Sequence, residues 1–258
     1  MPKSWVSIAA LALISGCGSR RQKPPSAGVP HDSASVASVT RPSRPAAFLT
    51  DSAFRAACVG INSWEDCRSK VEALLLPRPG VVRSGPSLLI SVAKDSSVVL
   101  RDTLPQSDQA VGYTYAGYLP WWRTHLVHET GYEGTAWLLV FIASGRRLQL
   151  TAPPMPSPDS TRFLVISSDI EAQIQPTSIE VYRLQGDTAL REVLIRPNDT
   201  TGTLQTGNWG PSGATWITND SVSIRTEVLT WPEHVTKPGR PVALVRTDRG
   251  WSLVGSAR

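Results

Sequence analysis

Cysteine is scarce in this chain, with three copies in 258 residues. There is no Cys-x-x-Cys pair and no Cys/His array with zinc spacing, so nothing points to a dithiol redox centre or a structural zinc site. Histidine occurs four times. His31 and His234 stand alone, and only His125 and His128, with Glu129, suggest a metal. That segment reads as a strand, where residues i and i+3 point to opposite faces, so the two rings are not expected to share an ion. A Gly-x-Ser-x-Gly nucleophile elbow is also missing, because Gly210-Pro-Ser-Gly213 lacks the spacing and the strand–turn–helix context. There is no glycine-rich phosphate loop. Asp159, Asp169 and Glu171 are too thinly spaced for a calcium loop, and Asp159 is expected to bond the backbone N–H groups of its own turn. No cofactor and no metal are expected, and no catalytic constellation stands out.

Long apolar runs are absent too. Trp5–Ile14, preceded by Lys3, is too short to span a bilayer, which takes ~20 apolar residues, and has the form of an export signal. Ile14-Ser-Gly-Cys17 follows: an aliphatic residue, two small ones and a cysteine. It resembles a bacterial lipobox. The resemblance implies a diacylglycerol on the Cys17 sulfur, cleavage before Cys17 and acylation of the new amino terminus. Residues 1–16 are then a lipoprotein signal peptide, and several acyl chains give firm membrane anchoring where one would be marginal. Gly18 stands where Asp would mark inner-membrane retention, so the expected location is the outer membrane, on its periplasmic side or surface. Residues 17–48 hold Pro24, Pro25, Pro30, Pro42 and Pro45 among Ser, Ala and Arg, without periodicity, and read as a disordered tether.

The formal charge of +5 belongs to that arm. Six basic residues and one acid precede residue 51, and taking them from totals of 26 and 21 leaves twenty of each sign. A nucleic-acid-binding domain keeps its positive field on the folded surface, so no nucleic-acid partner is expected.

Helical periodicity is confined to residues 49–79. Asp51–Cys58 reads as a short helix ended near Gly60. Ser63-Trp-Glu-Asp66 fits a capping box. Trp64, Cys67, Val71, Leu74 and Leu75 fall on one stripe of a second helix, which Pro77 and Pro79 end. Cys67 lies on the stripe and Cys58 closes the preceding turn. In an exported chain the two remaining cysteines most simply pair, so a Cys58–Cys67 disulfide is expected to staple a small αα-hairpin.

From residue 80 the pattern is β. Ser87–Ala93 and Val98–Arg101 flank the hairpin turn Lys94–Ser97. Val111–Tyr118, Thr124–Glu129, Gly134–Ser144 and Arg147–Leu150 follow. Phe163–Ile166 and Ser178–Leu184 come next, then Ala189–Ile195. Ala214–Ile217, Ser221–Arg225, Val242–Val245 and Trp251–Val254 close the chain at short intervals. Trp137–Ala143 and Phe163–Ile166 are apolar on successive residues, which requires cover on both faces of the sheet. With so little helix available, that cover must be other sheets, and radially stacked blades provide it. Thr124–Val127, Arg162–Val165 and Ala214–Ile217 match in role, each opening a group of three or four strands at blade-sized intervals.

The run Pro156-Ser-Pro-Asp-Ser-Thr-Arg-Phe-Leu-Val165 resembles the Ser-Pro-Asp-Gly blade opening of TolB-like and WD-type propellers, with Ser160 in place of the usual glycine. The layout as a whole resembles an uncharacterised family of bacterial lipoproteins in which a cysteine-bearing helical segment precedes such repeats. The fold class expected is therefore mainly β. Residues 80–258 form β-propeller-like repeats, three or four blade-like units that are few for a closed ring, preceded by the disulfide-stapled αα-hairpin. The resemblance supplies an architecture and no activity.

The function expected is that of a non-enzymatic, lipid-anchored cell-envelope module. Its partners are the membrane, through the anchor, and a protein or envelope polymer held on a binding platform. The alternatives are an envelope hydrolase or metal-dependent enzyme whose residues converge only in the fold, and a purely structural envelope component. A deep polar pocket with paired titratable side chains would mark the enzyme, and a shallow Trp/Tyr-lined face the binder. Trp121, Trp122, Trp209 and Trp231, among nine tryptophans, lie in predicted loops and are the candidates for such a face. Packing over blade edges is their competing role. Tyr113, Tyr115, Tyr118 and Tyr132 share the same two possibilities.

Overall fold

The computed structural model describes residues 48–255 except 94, 104–109, 133, 173, 198–208 and 231–234. The export signal, Cys17, most of the tether, Trp231 and His234 lie outside the described residues. Two helices come first, α1 (Asp51–Cys58) and α2 (Trp64–Ala73). Four antiparallel sheets then follow in chain order, and none closes on itself. The first is β1 (Val81–Ser84), β2 (Ser87–Val92) and β3 (Ser96–Arg101). The second is β4 (Val111–Leu119), β5 (Thr124–Gly131), β6 (Thr135–Phe141) and β7 (Arg147–Leu150). The third is β8 (Met155–Pro156), β9 (Arg162–Ser167), β10 (Ser178–Gln185) and β11 (Thr188–Ile195). The fourth is β12 (Trp209–Thr218), β13 (Ser221–Thr230), β14 (Val235–Pro238), β15 (Val242–Thr247) and β16 (Gly250–Val254). In the fourth sheet the long β13 pairs on one side with β14 near its end and with β15 near its start.

The successive apolar residues of β6 explain how the sheets are joined. Trp137, Leu139 and Phe141 enter a core shared with Phe163, Val165 and Tyr182 of the third sheet. The intervening Leu138 and Val140 point the other way, into a core shared with Leu88, Ile90 and Leu100 of the first sheet. The third sheet repeats the division. Phe163 and Val165 face the second sheet, while Leu164, Ile179 and Val181 meet Val222, Ile224 and Leu244 of the fourth. Side chains alternate across a strand, so each interior sheet contributes to two hydrophobic interiors. Full burial of each such aliphatic side chain stabilises by roughly 1.5–3 kcal/mol.

The matched segments occupy unequal places. Thr124–Val127 and Arg162–Val165 open the second strands of their sheets. Ala214–Ile217 lies inside the first strand of its own. Trp209-Gly-Pro-Ser-Gly213, whose tryptophan was expected in a loop, is the start of β12, with a bulge between Pro211 and Gly213. β12 is an edge strand, where proline is tolerated. β1 is a further strand that the sequence pattern did not mark.

The helical segment covers the open edge of β4. Thr50 caps α1 by accepting from the Ala53 N–H at 3.3 Å, and Ser63 caps α2 by accepting from the Asp66 N–H at 3.4 Å. Val71 is fully buried, and Cys67 and Leu75 pack on the same core. Leu74 departs from the expected stripe and is 65% exposed, while its neighbour Glu72 is buried. The Glu72 Oε1 accepts the Tyr115 N–H at 2.9 Å, and the Asp102 Oδ1 accepts the Tyr113 N–H at 2.8 Å. Further along, the Leu49 N–H donates to the Ala116 carbonyl at 2.9 Å. These bonds satisfy edge groups that would otherwise template pairing with another chain. Arg83 neutralises the arrangement, donating from Nε and Nη2 to the two Glu72 oxygens at 3.0 and 2.5 Å. Arg68 pairs with Asp102. The Trp64 ring lies so close to Gly112 that a Cβ there would sit 2.1 Å from it, so this turn of the contact requires glycine.

Cys58 and Cys67 form a disulfide that joins the end of α1 to α2. Removing it by Cys58→Ala with Cys67→Ala is expected to lower stability by about 2–3 kcal/mol for so short a loop. Urea unfolding with and without reductant measures this, and coincident midpoints would deny the bond a stabilising role.

Candidate functional site

The two ends of the sheets differ. At one end lie tight turns tied to one another. The Ala93 N–H donates to the Ile142 carbonyl at 2.7 Å and the Ile142 N–H to the Arg123 carbonyl at 3.1 Å. The Trp122 Nε1 donates to the Ser160 carbonyl at 2.8 Å, and the Asp159 N–H to the Asn219 Oδ1 at 3.0 Å. This belt crosses all four sheets.

The Ser157–Thr161 turn is built as its residue types dictate. Asp159 Oδ1 accepts from the Thr161 N–H at 3.0 Å and from the Ser157 hydroxyl at 2.7 Å. Burial pushes the Asp159 carboxyl up, but these bonds, the Thr161 hydroxyl and the Arg162 charge outweigh it and hold the group below the usual aspartate range. Asp159 is turn chemistry. Ser160 sits at φ +59°, the left-handed region that glycine favours. Ser160→Gly is expected to stabilise by about 0.5–1 kcal/mol, the strain relief exceeding glycine's extra unfolded-state entropy. A decrease in the denaturation midpoint would assign the Ser160 side chain a role of its own.

The tryptophans are distributed as follows. Trp121 is 39% exposed, its ring edge-on to Phe48 and Trp122. Trp122 is buried against Phe163. Trp209 is buried in β12, in the core between the third and fourth sheets. The rings of Trp122 and Trp209 are thus engaged in different interiors. The two histidines face opposite ways. His125 places Nδ1 3.0 Å from the Tyr115 hydroxyl, and His128 packs on Phe54 and Trp137 with centroids 4.4 and 4.7 Å away. Among the described residues no three His, Cys, Asp or Glu side chains are grouped to hold a metal ion.

The opposite end carries longer connections, and there a polar cleft of about 490 Å³ opens between the second and third sheets. Thr135 and Leu150 wall it from one sheet, Glu180, Tyr182 and Arg191 from the other, and Gln175 from the connection between β9 and β10. Glu180 is buried and fully engaged. Its Oε1 accepts the Ser178 hydroxyl at 3.1 Å, and its Oε2 accepts the Tyr182 hydroxyl at 2.8 Å and Arg191 Nη1 at 3.1 Å. Burial, then the bond to Glu180 and its charge, push the Tyr182 hydroxyl up to about 12 against the opposing charge of Arg191. The bond to Glu180 keeps Arg191 charged, with its side chain half exposed at the wall.

On the face of the second sheet turned to the first, Gln149 Nε2 donates to Glu129 Oε1 at 3.2 Å. Burial and the Glu129 carboxylate beside it lift the Tyr113 hydroxyl above the ordinary tyrosine range.

The loop over the cleft is held by one side chain. The Asp169 carboxylate accepts the N–H groups of Ala172, Ile174 and Gln175 at 3.1, 2.9 and 2.8 Å. The Gln175 amide then lies directly over the Gly134 backbone, where a Cβ would come within 1.6 Å of its Nε2. At the rim, Ile174 is 66% exposed, and so is Tyr132, at 71%, in the turn whose glycines line the cleft.

The cleft is polar rather than Trp-lined. Glu129, whose strand borders it, and Asp169, which holds its loop, stood out in the sequence, each in a different grouping. The turn Gly131-Tyr-Glu-Gly134 and the carboxylate at Asp169 were the available signals. Compared with protein-family models, with curated proteins and with solved structures, the chain matches none.

Proposed function

We propose that the protein is a lipid-anchored module of the bacterial cell envelope that binds a protein or envelope polymer in the cleft between its second and third sheets. The four consecutive meanders are read as blade-like units of a propeller-like array. Their face-to-face order along the chain and the Ser157–Asp159 turn support that reading. Ile14-Ser-Gly-Cys17 supports the anchor, and the proline-rich stretch behind it gives the folded part reach from the membrane. The observation that carries the binding role is the condition of Glu180. Its carboxylate is already held by three donors, so it shapes the wall and is not free for proton transfer. Binding sites combine such fixed walls with a few convergent polar groups.

A photo-crosslinking residue at Tyr132 in the full chain, irradiated in the native envelope, is expected to capture a partner. The same probe at Val99, exposed on the first sheet, is expected to capture none. Cys17→Ser is expected to release the protein from the membrane fraction. No adduct at Tyr132 would remove the binding role, and unchanged fractionation would remove the anchor.

A further inference from the structure

Resting on the lipid anchor proposed above, we propose that the corner of the fold around Trp121 is a membrane-contacting surface that lies on anionic phospholipid headgroups. Of the described candidates Trp121, Trp122 and Trp209, only Trp121 is open to solvent, at 39%.

The turn that carries it is fixed. Trp122 is buried, with its Nε1 held by the Ser160 carbonyl, and Trp121, one residue earlier, is turned out beside Phe48. The Arg123 N–H donates to the Pro120 carbonyl at 3.4 Å, and the Arg123 carbonyl accepts the Ile142 N–H at 3.1 Å. The second bond sets the β4–β5 turn beside the β6–β7 turn, which carries the exposed Arg146. An indole, apolar in body and polar at one edge, fits the boundary between headgroups and acyl chains.

The charge around it is positive. Arg123 and Arg146 are exposed, and Arg78 lies over the Tyr118 ring at 4.1 Å, at the same end of β4. Among the described residues no carboxylate pairs with any of the three. Asp95 is the one acid among the described residues of the neighbouring turns 93–95, 120–123 and 142–146. Each cation near an anionic bilayer favours contact about fivefold. The turns of the third and fourth sheets carry Asp187, Asp220 and Asp248 instead, and Asp220 is matched by Arg246 at 3.2 Å. An anionic surface therefore meets the second-sheet corner, with the acidic turns tilted away.

The N-terminal arm selects the bilayer as the occupant. Phe48, the first described residue, pairs with Gly117, and Leu49 bonds the Ala116 carbonyl, one residue further from the turn. The arm thus joins the fold at the Trp121 corner. Between Cys17 and Phe48 lie thirty residues, which span at most about 100 Å. They include Arg20, Arg21, Lys23, Arg41 and Arg44 against Asp32 alone. With the bilayer always within that reach, a weak contact is enough to hold the corner down. The polar cleft opens at the other end of the sheets, so this orientation turns it away from the lipid.

The full chain, purified in its lipidated form, is reconstituted into vesicles of phosphatidylethanolamine and brominated phosphatidylglycerol, and bromine quenching of tryptophan fluorescence is read. Quenching is expected in the parent, with about half or more of it lost in Trp121→Phe. Arg123→Gln with Arg146→Gln is expected to weaken the contact about tenfold or more. Raising the salt concentration, or using brominated phosphatidylcholine alone, is expected to weaken it in the parent as well. Circular dichroism of each variant is expected to match the parent. Quenching that Trp121→Phe leaves intact would overturn the surface. So would equal quenching in the phosphatidylcholine vesicles. Protein that floats with the vesicles but is not quenched would overturn the surface while keeping the anchor. Protein left behind when the vesicles are floated would overturn both.

Discussion

Replacing Glu72 by alanine is expected to destabilise the fold by about 3–5 kcal/mol, as removal of one partner from a buried ion pair does. The Glu72 side chain is 7% exposed and its partner Arg83 15%. Alanine at this position takes two short bonds from the buried guanidinium and leaves it the Tyr113 carbonyl and the Asp102 carboxylate, 3.5 Å away. It also leaves the Tyr115 N–H without an acceptor, a further loss at a buried backbone group. Glu72→Gln keeps one acceptor in place and is expected to cost less. The double variant Glu72→Ala, Arg83→Ala is expected to fall short of the summed single losses by about 1–3 kcal/mol, the range for residues in direct contact. Urea unfolding of the four proteins measures the cycle. A loss below about 1 kcal/mol for Glu72→Ala would mean that water or the neighbouring Asp102 carboxylate replaces the Glu72 carboxylate.

The second large effect is acid sensitivity centred on His125. Burial, assisted by the charge of Arg78, pushes its imidazole down to about 4. In the unfolded chain the same ring titrates near its ordinary value of about 6.5. Between these values the unfolded chain binds the extra proton and the folded chain does not. Stability is therefore complete above about pH 6.5 and falls as pH drops toward 4, by about 3 kcal/mol in all. The neighbouring groups are Tyr115, whose hydroxyl is 3.0 Å from Nδ1, Tyr118 and Arg78, which lies over the Tyr118 ring at 4.1 Å. Glu192 behaves differently. Burial lifts its carboxyl, but the Trp251 and Arg162 hydrogen bonds and nearby arginine charges bring it below the usual glutamate range. Its contribution is present above the ordinary glutamate pKa and is lost only as pH falls through the depressed value. A His125→Phe, Tyr115→Phe double variant is expected to be flat between pH 6.5 and about 4.5 and still to weaken below that. Equal slopes in parent and variant would deny His125 its part.

The strands were legible where burial is two-sided. Trp137–Phe141 and Phe163–Val165 are apolar without interruption, and that alone required sheets on both faces. The Ser157–Asp159 turn was legible because its hydrogen bonds are local. Leu74 was misread and Glu72 passed over for one reason. A helical stripe counts hydrophobicity, and it cannot see that Arg83, eleven residues on, makes a carboxylate the better occupant of the buried position. Trp209, beside Gly210-Pro211, was expected in a loop, but an edge strand with a bulge accepts the same residues. The cleft escaped notice because its walls come from β5–β7 on one side and β10–β11 on the other. No short window of the chain contains more than two or three of its polar residues, and each of them alone looks like an ordinary surface side chain.

Strands that divide their side chains between two interiors have an implication for how this chain can lengthen. A meander such as β4–β7 offers one apolar face to the sheet before it and another to the sheet after it. Duplicating such a unit in the gene would insert a new layer whose two surfaces already match what lies on either side. Repeat arrays held by nearest-neighbour contacts grow in this way. The end layers are under a different constraint, because each must turn one surface to solvent. Val82 and Val99, exposed on the first sheet in register with Leu89, show how sparingly such a surface is furnished with hydrophobic residues. Recombination within the array is thus easiest in the middle and hardest at the margins.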